Sequence, residues 1–237
     1  MPPGLVNPLA LPGSVGYLAD ASIFYDRKSD QLWVYYLDTR PSFGSLGLKR
    51  LISSDGVHWQ DQGNLFEVPT YNAESPTIEK VAGGYYMWVV NSGAAGCSST
   101  STVVEYRLSV DGTDWSAPKP ANFAQSGYEI WHLNVSYIPS MQEYWAVVAA
   151  YADGSDCNHT VLFYSKSRDG VNGTSYSKAV LGSGMTWDNA EIYRATLLYD
   201  ASKNHVRVWY SARSNFGEWH VGLTDVDYDQ FLEWLQQ

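Results

Sequence analysis

LADASIFYDRKSDQLWVYYLDTR, residues 18–40, decides the architecture of this chain. It reads as an apolar strand, a polar turn, and a second strand dense in Trp, Tyr and Val. The same plan returns at residues 72–93 (NAESPTIEKVAGGYYMWVVNSG), 130–151 (IWHLNVSYIPSMQEYWAVVAAY) and 192–213 (IYRATLLYDASKNHVRVWYSAR). Aligning Tyr25-Asp26 with Tyr199-Asp200 puts Asp20, Glu74, His132 and Arg194 in one register, spaced by 54, 58 and 62 residues. A second landmark follows each of the first three segments: SSDGVHW from Ser53, SVDGTDW from Ser109 and SRDGVNGTSY from Ser167. The Asp-Gly pairs suit tight turns, because Gly takes positive φ without a Cβ clash.

Two landmarks with matching periods mark an internal repeat, and repeats decide architecture before anything else. Val, Tyr, Trp and Thr are the residues that pleated, half-buried surface prefers. Each repeat therefore reads as a four-stranded antiparallel meander, and the chain as an all-β β-propeller of four blades. A β-sandwich is the competing architecture, but sandwiches rarely repeat so regularly. One propeller is expected over residues 1–237, with repeats at about 17–72, 73–129, 130–190 and 191–237. The last repeat lacks the Asp-Gly turn and ends in DYDQFLEWLQQ, which reads as a short amphipathic helix. Leu5 to Leu11 is a candidate for the missing strand.

Composition narrows the function. The 237 residues carry 15 basic and 25 acidic side chains, a net charge of −10, with no basic patch to bind a phosphate backbone. Aromatics at 15% against 17% charged residues exclude a disordered chain. The longest apolar run, near 144–152, is too short to span a bilayer. The N-terminus has neither a basic start nor a continuous apolar run, so no signal peptide is expected.

In a propeller, inner strands line the central channel, so Asp20, Glu74, His132 and Arg194 are expected around one opening. An acid pair, an imidazole and a guanidinium at one mouth would make a polar ligand pocket. The competing reading is a set of solvated polar residues with Arg194 paired to Asp20 or Glu74. Arg40 and Arg213 fall near the same rim, and Trp131 and Tyr193 flank it. Flat aromatic faces beside carboxylates and Arg suit a glycan. Cys97 and Cys157 occupy equivalent loops of consecutive repeats, so a disulfide between blades 2 and 3 is expected. A disulfide favours an extracellular, cell-surface or virion setting. Two Cys without close spacing and scattered His make no zinc site.

The strand starts LADASIFYD and NAESPTIEK, with their SxDGxxW turns, resemble the β-propeller glycosidases of the arabinanase, β-xylosidase and levansucrase/invertase type. The resemblance implies hydrolysis of a glycosidic bond. Glu74, in Glu74-Ser75-Pro76, would match the general acid, and Asp20 one of the two Asp positions, as base or nucleophile. The family normally has five blades and a third inner-strand carboxylate. Here the third and fourth strands carry His132 and Arg194, and Glu129, Asp188 and Glu191 are acids that could stand in. No cofactor is expected; related propellers sometimes hold calcium in the channel, but no dedicated ligand set is visible. Three readings stay open: glycoside hydrolysis, non-catalytic glycan binding as in an adhesin or a virion-surface protein, and a structural propeller that forms oligomers or joins a larger assembly.

Overall fold

The structure, a computed structural model, describes residues 3, 4, 9, 16–40, 45–68, 70–184 and 186–237. The candidate closing strand at Leu5 to Leu11 lies outside the described residues, Leu9 apart. Four antiparallel sheets follow one another along the chain. Blade 1 is β1 (Tyr17–Asp26), β2 (Gln31–Arg40), β3 (Ser45–Ser53) and β4 (Gln60–Val68). Blade 2 is β5 (Ala73–Val81), β6 (Gly84–Asn91), β7 (Val103–Ser109) and the two-residue β8 (Lys119–Pro120). Blade 3 is β9 (Tyr128–Ile138), β10 (Glu143–Ala152), β11 (Thr160–Ser167) and β12 (Gly173–Ser175). Blade 4 stops at three strands, β13 (Glu191–Asp200), β14 (His205–Arg213) and β15 (Trp219–Asp227), and continues into helix α1 (Tyr228–Gln236). The inner strands pack in sequence, β1 on β5, β5 on β9 and β9 on β13. This is the four-bladed propeller that the repeats indicated.

Buried side chains fill three of the seams. Trp33, Tyr35 and Leu37 meet Ile78, Tyr85 and Met87 between blades 1 and 2. Trp88 and Val90 meet Leu133, Tyr144 and Phe163 between blades 2 and 3. Trp145 and Tyr164 meet Ile192 and Val208 between blades 3 and 4, and α1 adds Tyr228 and Phe231. The helix is thus a cap on this seam, with Tyr228 stacked on Trp145 at 4.6 Å. Asp227 caps its N-terminus by accepting the Asp229 and Gln230 N–H groups. Each fully buried large side chain contributes roughly 1.5–3 kcal/mol.

The fourth seam differs. Among the described residues no buried apolar cluster joins blade 4 to blade 1. A cleft of about 350 Å³ lies there, lined by Ile23, Asn134, Arg194, Trp209 and Val221 among others. Its walls leave Ile23 65% and Val221 76% exposed.

Two of the three Asp-Gly turns latch one blade to the next. In each, the Ser hydroxyl accepts the Asp and Gly N–H groups, and the Asp carboxylate accepts two N–H groups further on, as at Ser109 and Asp111. In the second and third turns the buried Gly carbonyl then docks on the preceding blade, whereas Gly56 O accepts Trp59 Nε1 within its own turn. Gly112 O accepts Arg50 Nη1 at 2.8 Å and Tyr35 Oη at 3.1 Å, and Gly170 O accepts Trp88 Nε1 at 2.7 Å. Gly112 has φ +75°, and a Cβ there would stand 2.5 Å from Trp33. Gly112→Ala is expected to cost about 2–3 kcal/mol by denaturant unfolding. Gly127→Ala, at φ +78° with open space around it, is expected to cost about 1 kcal/mol. Equal losses would refute the latch.

Candidate functional site

The site is built from irregularities at the entry of the inner strands. Pairing slips between Ala19 and Ser22 in β1, between Glu74 and Thr77 in β5, and between Ile192 and Ala195 in β13. In β9 the slip surrounds Trp131. Such bulges re-aim side chains and cluster beside functional sites. Asp20 and Ser75 take matching positions in them, with left-handed φ of 52° and 54°. The layer at the opening is therefore Asp20, Ser75, His132 and Arg194, and Glu74 stands one residue earlier. One step deeper, Asn134 donates from Nδ2 to Thr77 Oγ1 at 3.3 Å and accepts Thr196 Oγ1 at 3.0 Å. The expected register was one residue off in blade 2, which lacks the Tyr-Asp pair and turns from β5 to β6 in two residues where β1 to β2 takes four.

Asp20 is the hub. Its Oδ2 accepts the Ser75 N–H at 2.6 Å and lies 3.7 Å from His132 Nδ1. Its Oδ1 lies 3.6 Å from Arg194 Nη1, which links blades 1 and 4. Ser75 Oγ lies 2.5 Å from His132 Nδ1. Glu74 is pushed up to about 8, first by burial and then by the Asp20 charge, against a partly offsetting hydrogen bond from Ser92. Burial holds His132 down at about 4; Arg194 acts the same way and Asp20 opposes it.

The aromatic neighbours are less open than expected. Trp131 and His132 are 7% and 1% exposed. Tyr193 meets the His132 ring edge-on at 4.4 Å. Trp131, Tyr151 and Cys157 form a buried cluster that Cys97 and Tyr193 pack against. Cys97 and Cys157 form the expected disulfide, bridging the β6–β7 and β10–β11 loops. Arg213 donates from Nε to Glu191 at 3.0 Å instead of to the acid pair. The Arg40 side chain lies outside the described residues. Among the described residues no group of three or more His, Cys, Asp or Glu could hold a metal ion. Sequence reasoning missed Ser75 and Ser92, though Ser75 sits inside the quoted Glu74-Ser75-Pro76.

No protein-family model matches the chain, and no curated protein matches it. Solved structures do. An N-acetylgalactosamine deacetylase from F. plautii, solved with blood group B trisaccharide, superposes with a TM-score of 0.89 at 24% identity, over 99% of this chain and 79% of that one. An endo-arabinase from Bacteroides thetaiotaomicron superposes at 0.69 with 13% identity, over 90% and 76%. A β-fructofuranosidase from Bombyx mori superposes at 0.68 with 13% identity, over 92% of this chain but 48% of that one. The chain has the fold of the β-propeller glycosidases of the arabinanase and invertase type.

Proposed function

We propose that this chain hydrolyses a glycosidic bond, with Glu74 as proton donor and Asp20 as its carboxylate partner. The observation behind this reading is the pair's unequal surroundings: Glu74 keeps its proton to about pH 8, beside Asp20. Two carboxyls with separated roles are what glycoside hydrolysis needs. Glu74 would protonate the leaving oxygen. Asp20 would attack the anomeric carbon or take a proton from the attacking water, while Arg194 holds a sugar hydroxyl. The disulfide favours work in an oxidising compartment, outside a reducing cytosol.

A second reading is removal of an N-acetyl group from an amino sugar. The overlap of 0.89 with the deacetylase, against 0.69 for the arabinase, favours it. In that reaction Asp20 would activate water and Glu74 would protonate the departing amine. The test is a panel of oligosaccharides, some carrying 2-acetamido sugars, scored for new reducing ends and for free acetate. Release of reducing ends that Asp20→Asn abolishes supports the first reading. Acetate without chain cleavage moves the assignment to the second. Binding without either product leaves a glycan-binding propeller.

A further inference from the structure

The protons in the layer that Asp20 shares with Ser75 and His132 can be counted. Ser75 has no exposed surface, and its Oγ lies 2.5 Å from His132 Nδ1. Nδ1 is the one acceptor that this hydroxyl meets among the described residues. A buried O–H needs an acceptor, so the Ser75 proton points at Nδ1. The ring proton then sits on Nε2, which is buried and meets no partner among the described residues in either tautomer, so the choice falls to the hydroxyl. The opposite arrangement, Nδ1–H donating to Ser75, would leave Nε2 just as unpaired and strand the hydroxyl proton as well. Asp20 Oδ2 lies 3.7 Å from Nδ1, beyond hydrogen-bond reach, and already takes the Ser75 N–H at 2.6 Å.

We propose that Ser75 is a positioning residue whose hydroxyl fixes His132 as the neutral Nε2–H tautomer and so keeps the imidazole from pairing with Asp20. The consequence for chemistry rests on the assignment of Asp20 and Glu74 above; the tautomer itself does not. A histidine this near a carboxylate ordinarily turns an N–H toward it. That pair would occupy Asp20 and draw a second positive charge beside Arg194, leaving Glu74 less reason to hold its proton. By capping Nδ1, Ser75 leaves Asp20 for substrate or water. The titratable and charged groups around the ring are Asp20 on β1, Glu74 on β5, and Tyr193 and Arg194 on β13. The backbone argues the same way. Ser75 sits at φ +54°, where glycine is comfortable and a side chain costs about 1–2 kcal/mol. A side chain kept there against local preference has a task that its hydroxyl explains.

Ser75→Gly relieves the backbone and removes the hydroxyl, which makes it the variant of choice. Histidine ¹⁵N spectra report the tautomer directly, with or without turnover. Wild-type protein should show His132 as the Nε2–H tautomer, uncharged from pH 5 to 8. Ser75→Gly should show Nδ1–H facing Asp20, a His132 protonation constant raised at least tenfold, and a new ionisation on the acid side of any turnover profile. A wild-type Nδ1–H tautomer overturns the proposal, and so does a Ser75→Gly spectrum with unchanged tautomer and pKa. An inactive wild-type protein with the Nε2–H tautomer would count against the hydrolase reading alone.

Discussion

Glu74→Gln is expected to lower turnover about 100- to 10,000-fold, the range that a lost general acid usually costs. The amide keeps the shape and the contact with Ser92 but has no proton to give. The pH dependence supplies the sign. Glu74 is raised from 4.5 to about 8, so its active, protonated form is full at low pH and is lost as pH rises through 8. The wild-type profile should therefore carry an alkaline limb near pH 8. The same shift bears on stability: the folded state binds this proton more tightly than the unfolded chain does. Its contribution is complete below pH 4.5, declines as pH rises from 4.5 to 8, and is gone above. Melting temperatures across that window should fall in wild type and stay flatter in Glu74→Gln. Undiminished turnover of the best substrate by the variant would end Glu74's candidacy.

The propeller was legible because its signals are local and repeated. Tyr-Asp pairs, aromatic second strands and Ser-x-Asp-Gly turns each report one strand or turn, and their period reports the rest. Blade 4's shortness was readable from the absence of its Asp-Gly turn. The site was legible only to within a residue. Asp20, His132 and Arg194 meet as the register implied, and Glu74 reaches the Asp20 field from one position earlier. The cause is physical: the bulges of β1 and β5 match, but the β5–β6 turn is two residues shorter than the β1–β2 turn and carries no Tyr-Asp pair, so alternation alone could not anchor the count in blade 2. Burial was the other blind spot. Trp131 looked like a sugar platform, yet it packs beneath the Cys97–Cys157 bridge. The open seam, with Ile23 and Val221 exposed across it, depends on which blade meets which and has no single-strand signature.

That bridge carries the second large expected effect. Cys97 and Cys157 sit in two short 3-10 turns, Gly96–Ser98 and Cys157–His159, and the bond closes a sequence separation of 60 residues. Closing a loop of that length in the unfolded chain corresponds to about 4 kcal/mol of stability in the chain-entropy account. The surroundings add to this: Cys157 packs on Trp131, and Tyr151 Oη donates to Ser99 O at 2.7 Å just beyond the first turn. The double variant Cys97→Ala/Cys157→Ala should therefore lose about 4 kcal/mol in denaturant unfolding. Reductant should have little further effect on it, while wild-type protein in reductant should approach the variant. A loss under about 1 kcal/mol would mean that the unfolded chain is already compact across this span. Against the usual 5–15 kcal/mol for a whole domain, the expected loss is large. With no buried core in one seam among the described residues, the propeller has less to spare, so its stability should track the redox poise of its compartment.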